Sequence, residues 1–283
     1  MKTLIIGSDG QLGSQLMEFM PNPTGASRKG KDSMRLDISD VHEVENLILS
    51  EKPDVVVNAA AITDVDLCER EREMALKVNG IAVRSMARAC SVIGSYFIHI
   101  STDYVFDGEK GMYKEDDAPN PLNYYGISKL YGEASALAYD ETLVVRTSGV
   151  FGYKQNFPLF VLKTLQGNGT VKCIDSFYSP IHARLLARAI AELLGRRPYG
   201  IINVSGARIS RYELAMKIKE FFGIDTGTVV QQQGQSGIVS ARRPHDSSLD
   251  NSRARALLSF DFESVESNLR TMREELGRET MEG

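Results

Sequence analysis

A chain of 283 residues, 42% hydrophobic and 25% charged, is long enough to bury a full core, as one large domain or two modest ones. Its net charge of −4 argues against the clustered positive surface that broad nucleic-acid or membrane binding requires, so neither is expected as a partner and an anionic ligand must meet local positive groups. The cysteines (Cys68, Cys90, Cys173) and histidines (His42, His99, His182, His245) are scattered without disulfide or metal-ligand spacing, which predicts a reducing cytoplasm and no catalytic metal.

The chain runs at once into Thr3–Ile6, a buried strand too short to be the core of a signal peptide, and no later stretch approaches the roughly 18 apolar residues of a membrane helix. Gly7, Gly10 and Gly13 follow as GxxGxxG, at the mouth of a helix carrying Leu12, Leu16 and Phe19. Glycine there permits unusual backbone angles and lets a pyrophosphate approach main-chain N–H groups at the positive end of the helix. The end of the second strand reads Ala26-Ser27-Arg28-Lys29, with no acid to hold a ribose 2′-hydroxyl. That favours NADP(H), with NAD(H) also allowed, and makes Ser27, Arg28 and Lys29 phosphate contacts; a solvated basic loop is the plain alternative. Asp37, in Leu36-Asp37-Ile38, is placed to accept from an adenine amino group or simply to start a helix.

Val41, Val44, Leu47 and Ile48 share a helical face, opened by Asp40 and Glu43 in capping-box spacing. Further buried strands are expected at Asp54–Val57, Tyr96–Ile100 and Leu143–Val145, and the alternation predicts an α/β fold with a doubly wound parallel sheet of Rossmann type. Ser101, Thr102 and Asp103 stand just beyond one strand end, the edge where open α/β sheets bind ligands. A hydroxyl there suits a substrate carbonyl, although turn chemistry explains it equally. Tyr125 and Lys129 lie four apart, on one face of a helix. Carbonyl reduction needs a proton donor, and an ammonium near a phenol would lower its pKa.

Beyond residue 150 the pattern loosens. Residues 1–150 are read as the dinucleotide-binding domain, with 182–205 returning to it through the helical face Leu185–Leu194 and the strand Gly200–Val204. Residues 151–181 and 206–283 are read as a smaller C-terminal substrate-binding lobe, containing a capping box at Ser210 and Glu213 and a Gly/Gln-rich stretch at 231–237.

The blocks GSDGQLGSQL, LDISD, VVNAAAITDVDLCE, KVN, ISTDYVFDG, PLNYYGISKLYGE, RTSGVFG and ARRPHDSSLDNS occur in that order along nearly the whole chain. Together they resemble the dTDP-4-dehydrorhamnose reductase family of extended short-chain dehydrogenases/reductases. The resemblance implies a catalytic trio of Thr102, Tyr125 and Lys129, with Tyr125 the proton donor and Lys129 also on the nicotinamide ribose. It implies cofactor contacts from Gly7, Gly10, Gln11, Leu12, Gly13, Asp37, Ile38, Asn58, Ala59, Ala60, Ala61 and Asn79, and substrate contacts from Thr102, Asp103, Tyr104, Val105 and Arg242, with Arg243 beside it. The implied reaction is NADPH-dependent reduction of the C4 ketone of a dTDP-4-keto-6-deoxyhexose. The implied partner is a nucleotide-diphosphate sugar, with room for a homodimer.

Three positions depart from the family pattern. Gly149 stands where the reductases commonly carry Trp, residues 175–180 lack the DQxG-P spelling, and Arg184 lies near a usual acid. Loss of a stacking surface at 149 would change which sugar nucleotide is accepted. These departures keep open an NADP-binding regulatory subunit resembling the methionine adenosyltransferase β subunit; a nucleotide-sugar epimerase or dehydratase using the same Tyr/Lys pair is a third reading.

Overall fold

The computed structural model describes residues 1–30, 32–232 and 241–282. In chain order, β1 (Thr3–Ile6), α1 (Gln11–Phe19), β2 (Pro23–Ser27), β3 (Met34–Arg35), α2 (Val41–Glu51) and β4 (Val55–Asn58) make the first units. Two short helices, α3 (Val65–Arg70) and α4 (Arg72–Leu76), lead through a π-helical turn at Lys77–Ile81 into α5 (Ala82–Ile93), β5 (Tyr96–Thr102), α6 (Tyr124–Leu137) and β6 (Thr142–Thr147). Then come α7 (Phe157–Gln166), β7 (Thr170–Ile174), β8 (Phe177–Tyr178), α8 (Ala183–Arg196), β9 (Gly200–Asn203), β10 (Ile209–Ser210), α9 (Arg211–Phe221), β11 (Thr228–Gln232), α10 (Ser252–Leu257) and α11 (Val265–Glu282).

Seven parallel strands form one sheet in the order β3-β2-β1-β4-β5-β6-β9. Its strands are apolar on both faces because helices cover both. Ile5, Val57, Ile98 and Val145 pack under α1 and α8, against Leu16, Leu186 and Ile190. Leu4, Ile6, Val56, Phe97 and Val144 face the other way, onto Val44 and Ile48 of α2 and Met86 and Cys90 of α5. A separate core joins α7, β7, α9 and α11 through Leu162, Leu165, Val171, Leu214, Ile218 and Met272. β11 pairs with β7 and β10 with β8 beside it.

The strands run one to two residues past their expected ends, to Asn58, Thr102 and Thr147, which places these polar side chains on the sheet's C-terminal edge. The capping box at Ser210 is reciprocal. At Asp40 only half of it forms: the Asp40 carboxylate accepts from the N–H groups of His42 and Glu43, while the Glu43 carboxylate turns back to the N–H of Asp37. Of the Gly/Gln-rich stretch, Gln231 and Gln232 end β11 and 233–237 lie outside the described residues. No described helix is long and apolar enough to cross a membrane.

Candidate active site

The glycine turn is built to leave a cradle. Gly7 has φ +89°, and a Cβ there would stand 2.8 Å from the Ala60 nitrogen. A Cβ on Gly13 would collide with the Gly7 carbonyl, so α1 can sit this close to β1 only with glycine at that position. Gly10 caps α1 with no side-chain hydrogen bond, and no acid occupies the first turn. The amino end of the helix is therefore open to an anion.

A cleft of about 670 Å³ extends from this turn. Gly7 and Gly10 line its floor, Ser27, Arg28, Asp37 and Ile38 one end, and Ala59, Ala60 and Ala61 a wall. Asp37 is held below the usual carboxylate range, chiefly by the N–H of Ser39. Its carboxylate is thus a formed turn acceptor as well as part of the cleft.

The side chains of Gln11, Leu12, Asn58 and Asn79 hold the cleft from behind, Gly13 lets α1 approach β1, and the main-chain N–H groups of Gln11 and Leu12 stand at the open end of α1. Leu12 packs in the core, and the Gln11 side-chain oxygen accepts from the N–H of Lys154. Asn58 Oδ1 accepts from the Ala60 N–H at 3.1 Å, while its amide nitrogen lies 3.1 Å from Nδ1 of His99. Asn79 Oδ1 accepts from the Ile62 N–H, and its amide group donates to the Ile62 carbonyl and to Ser128 Oγ on α6. The π-helical turn carries Asn79 to this bridge, so one side chain ties the cleft wall to the helix bearing Tyr125 and Lys129.

Asp9 and Lys154 are among the cleft residues that escape the sequence reading. Asp9 Oδ2 accepts from Ser27 Oγ at 2.6 Å, which delivers a carboxylate to the end of β2, where the sequence shows none. Ser27 lines the cleft with its hydroxyl proton given to Asp9, and the cations at this end are Arg28 and Lys29. Lys154, from the loop after β6, also lines the cleft and donates to the Asp9 carbonyl.

The reacting end lies at the edge of β5 and the start of α6, which Asn123 caps by accepting from the N–H of Gly126. Thr102, Tyr125 and Lys129 are buried together, at 6%, 9% and 2% exposure. Thr102 lies near enough to the Tyr125 phenol to pull its pKa down, Ile62 of the cleft wall packs on the Tyr125 cluster, and Lys129 Nζ donates to the Ile100 carbonyl at 2.6 Å. The cleft and the Tyr/Lys pair therefore adjoin.

The electrostatics differ from expectation at Tyr125. Burial pushes its phenol up, Thr102 only partly offsets this, and the lowering expected from Lys129 does not prevail. Lys129 itself is lowered to about 8 by burial, with Glu133 pulling it up. Burial also holds the imidazole of His99 neutral.

On the substrate side, Tyr104 stacks edge-on against Tyr125 with ring centres 5.8 Å apart. The side chains of Asp103 and Val105 are turned into the protein, so any substrate contact from these two residues would come from their main chain. Val105 is fully buried against Phe106, Tyr113 and Leu249. The Asp103 carboxylate accepts from Thr102 Oγ1 (3.0 Å), Ser148 Oγ (2.7 Å) and Ser247 Oγ (2.5 Å), joining β5, the end of β6 and the late segment; burial raises its pKa. Arg242 is exposed, and its carbonyl accepts from Asn123 Nδ2. Arg243 pairs with Asp66 of α3 at 2.7 Å. Arg184 is remote from this edge: it bonds Glu18 and Gln15 and fastens α8 to α1.

A Rossmann sheet, an open phosphate-binding turn and a buried Thr/Tyr/Lys set at the adjoining strand edge define the class: a dinucleotide-binding protein of short-chain dehydrogenase/reductase type. The model for the RmlD substrate binding domain matches residues 1–278. The chain belongs to this family, the dTDP-4-dehydrorhamnose reductases, which are NAD(P)-dependent oxidoreductases. A dTDP-4-dehydrorhamnose reductase of Streptomyces griseus is 33% identical over 89% of this chain and 86% of its own. The crystal structure of a hypothetical dTDP-4-dehydrorhamnose reductase from Sulfolobus tokodaii is 52% identical, with a TM-score of 0.89 over 93% of this chain and 97% of that one. The Bacillus anthracis reductase in complex with NADP is 29% identical, with a TM-score of 0.89 over 96% and 98% of the two chains.

Proposed function

We propose that the protein reduces the C4 ketone of a dTDP-4-keto-6-deoxyhexose with NADPH, accepting NADH as well. The observation that carries this reading is the meeting of Thr102, Tyr125 and Lys129 beside a cleft whose glycine turn and uncapped helix suit a pyrophosphate. The NADP complex of the Bacillus anthracis relative supports the cofactor.

Gly7, Gly10 and the first N–H groups of α1 would hold the pyrophosphate, Arg28 and Lys29 a 2′-phosphate, and Ala59–Ala61 the flat face of the dinucleotide. When bound, the reduced nicotinamide supplies the hydride. Tyr125 delivers the proton to the carbonyl oxygen. Its raised pKa keeps the phenol protonated at neutral pH, the state a donor must start from. Thr102 gives its hydroxyl proton to Asp103 in the free protein; turned toward the reacting edge, that proton would favour the Tyr125 phenolate or steady the substrate carbonyl. Lys129, an ammonium below about pH 8, contributes positive charge at the reacting end.

The test is loss of reduced-nicotinamide absorbance when purified protein meets enzymatically generated dTDP-4-keto-6-deoxyglucose or its epimerised product, with NADPH and NADH run separately. Stoichiometric oxidation is expected. Binding of NADPH without oxidation would overturn the reductase reading and favour a regulatory role, and net conversion of a sugar nucleotide with no lasting oxidation would favour an epimerase.

Asp9 adds a second expectation. A carboxylate at the end of β2 favours a ribose 2′-hydroxyl and opposes a 2′-phosphate, so it works against Arg28 and Lys29. Asp9→Asn should raise the NADPH-to-NADH ratio of kcat/KM by about tenfold. An unchanged ratio, or a shift toward NADH, would show that Asp9 serves only to shape the turn through Ser27.

A further inference from the structure

Gly149 and Tyr178 meet in the fold. Gly149 has φ +49°, and a Cβ built on it would stand 2.7 Å from Cε2 and 2.8 Å from Cδ2 of the Tyr178 ring. No side chain at 149 can coexist with this ring. Tyr178 comes from β8, held by pairing with Ile209 of β10, and its neighbour Ser179 donates its N–H to Ser148 Oγ, the same hydroxyl that donates to Asp103. The ring therefore sits beside the Thr102–Asp103–Tyr104 edge, to which Ser148 ties it. On one side it carries the Arg211 guanidinium, 4.7 Å from its centre; that same guanidinium lies 5.0 Å from the Phe157 ring.

The Tyr178 hydroxyl is one of the buried polar groups among the described residues that lack a partner, and the one phenol among them. The residue is only 7% exposed, yet its hydroxyl has no hydrogen-bond partner. Leaving a buried phenol unpaired is unfavourable unless a ligand completes it. At this edge the hydroxyls of Thr102, Ser148 and Ser247 are satisfied through Asp103, while those of Ser101 and Thr147, at the ends of β5 and β6, are unpartnered like that of Tyr178.

We propose that Gly149 and Tyr178 are one exchanged pair: the aromatic wall of the sugar subsite, which the family pattern places at 149, is carried here by Tyr178, whose hydroxyl hydrogen-bonds the hexose of the nucleotide-sugar substrate. The departures at 149 and in 175–180 then have a common cause, because the ring at 178 fills the space that a side chain at 149 would need. A tyrosine adds a hydroxyl that an indole edge lacks, so the pocket selects for a sugar with a donor or acceptor at that point. This inference rests on the nucleotide-sugar reading above.

The experiment measures kcat and KM for the dTDP-4-keto sugar at saturating NADPH, with dTDP-glucose binding by calorimetry and thermal unfolding alongside. Tyr178→Phe keeps the ring and should raise KM about tenfold, the loss of one hydrogen bond, with kcat within about twofold, NADPH affinity unchanged and the unfolding temperature of the free protein equal to or above wild type, because the hydroxyl removed is unpaired there. Gly149→Trp alone should nearly abolish turnover, because the new side chain collides with the ring; Gly149→Trp with Tyr178→Gly should recover at least about tenfold in kcat/KM over that single variant. Wild-type-like kinetics in Tyr178→Phe, or no recovery in the double variant, overturns the inference while wild-type turnover leaves the reductase reading standing. A wild-type protein that neither turns over the keto sugar nor binds dTDP-glucose overturns both.

Discussion

Replacing Tyr125 by Phe is expected to lower kcat by about a thousandfold, the range a positioned proton donor supplies, while NADPH affinity and thermal stability stay near wild type. The side chain is 9% exposed, so Phe fills the same space. Apart from the Tyr104 phenol, the neighbouring groups are engaged elsewhere. Thr102 commits its proton to Asp103, and Lys129 Nζ is held on the Ile100 carbonyl. His99 is kept neutral by burial and lies behind Lys129, its Nε2 3.5 Å from Nζ. Steady-state kinetics with NADPH and the keto sugar, next to an NADPH titration, makes the measurement. A variant within tenfold of wild type would move proton delivery to Tyr104 or solvent and remove Tyr125 from the mechanism.

The raised Tyr125 pKa changes what limits the enzyme at alkaline pH. A phenol lowered by its lysine would lose its proton first; a phenol raised by burial keeps it while Lys129 loses its charge near 8. The i, i+4 spacing correctly places both groups on one buried helical face but carries no information about how deep that face lies. Depth is decided by Ile62, Val65 and Tyr104, which come from other segments.

The same distinction runs through the rest of the molecule. Leu4-Ile5-Ile6 and Val55-Val56-Val57 are legible as central strands because covering both sheet faces leaves a continuous apolar signature. The glycine turn is legible because Gly7 and Gly13 each fill a position where a Cβ collides with backbone. What the sequence hides are pairings across the fold. Asp9 reaches Ser27 18 residues on, and Ser247 reaches Asp103 across 144. Lys154 arrives at the glycine turn from 145 residues away, on a loop with no local motif. Asn79 depends on the π-helical turn, whose extra residue per turn leaves no mark on an otherwise helical pattern. Motifs show which chemistry is present; which side chains are already committed to one another appears only once the segments meet.

Glu133 is where stability and chemistry share one side chain, and its replacement is expected to have the largest effect on folding. Glu133 and Arg146 are each 2% exposed and form a two-pronged pair, Nε to Oε1 at 3.0 Å and Nη2 to Oε2 at 2.8 Å. Arg146 Nη1 also donates to the Glu115 carbonyl, and its guanidinium lies 5.0 Å from the Phe106 ring centre. Glu133→Gln strands the arginine charge in the interior and should cost about 3 kcal/mol, read by thermal or urea unfolding. Replacing both partners, Glu133→Leu with Arg146→Met, should recover most of that loss, because an apolar pair removes the stranded charge. The catalytic consequence has a definite sign. Glu133 raises the pKa of Lys129, which is an ammonium below about 8 and neutral above it, so wild-type kcat/KM should hold at neutral pH and fall as pH rises through that value. In Glu133→Gln the supporting charge is gone, Lys129 deprotonates at lower pH, and the alkaline fall should move down with it. An alkaline limb that stays in place in a folded Glu133→Gln protein would show that another group sets it.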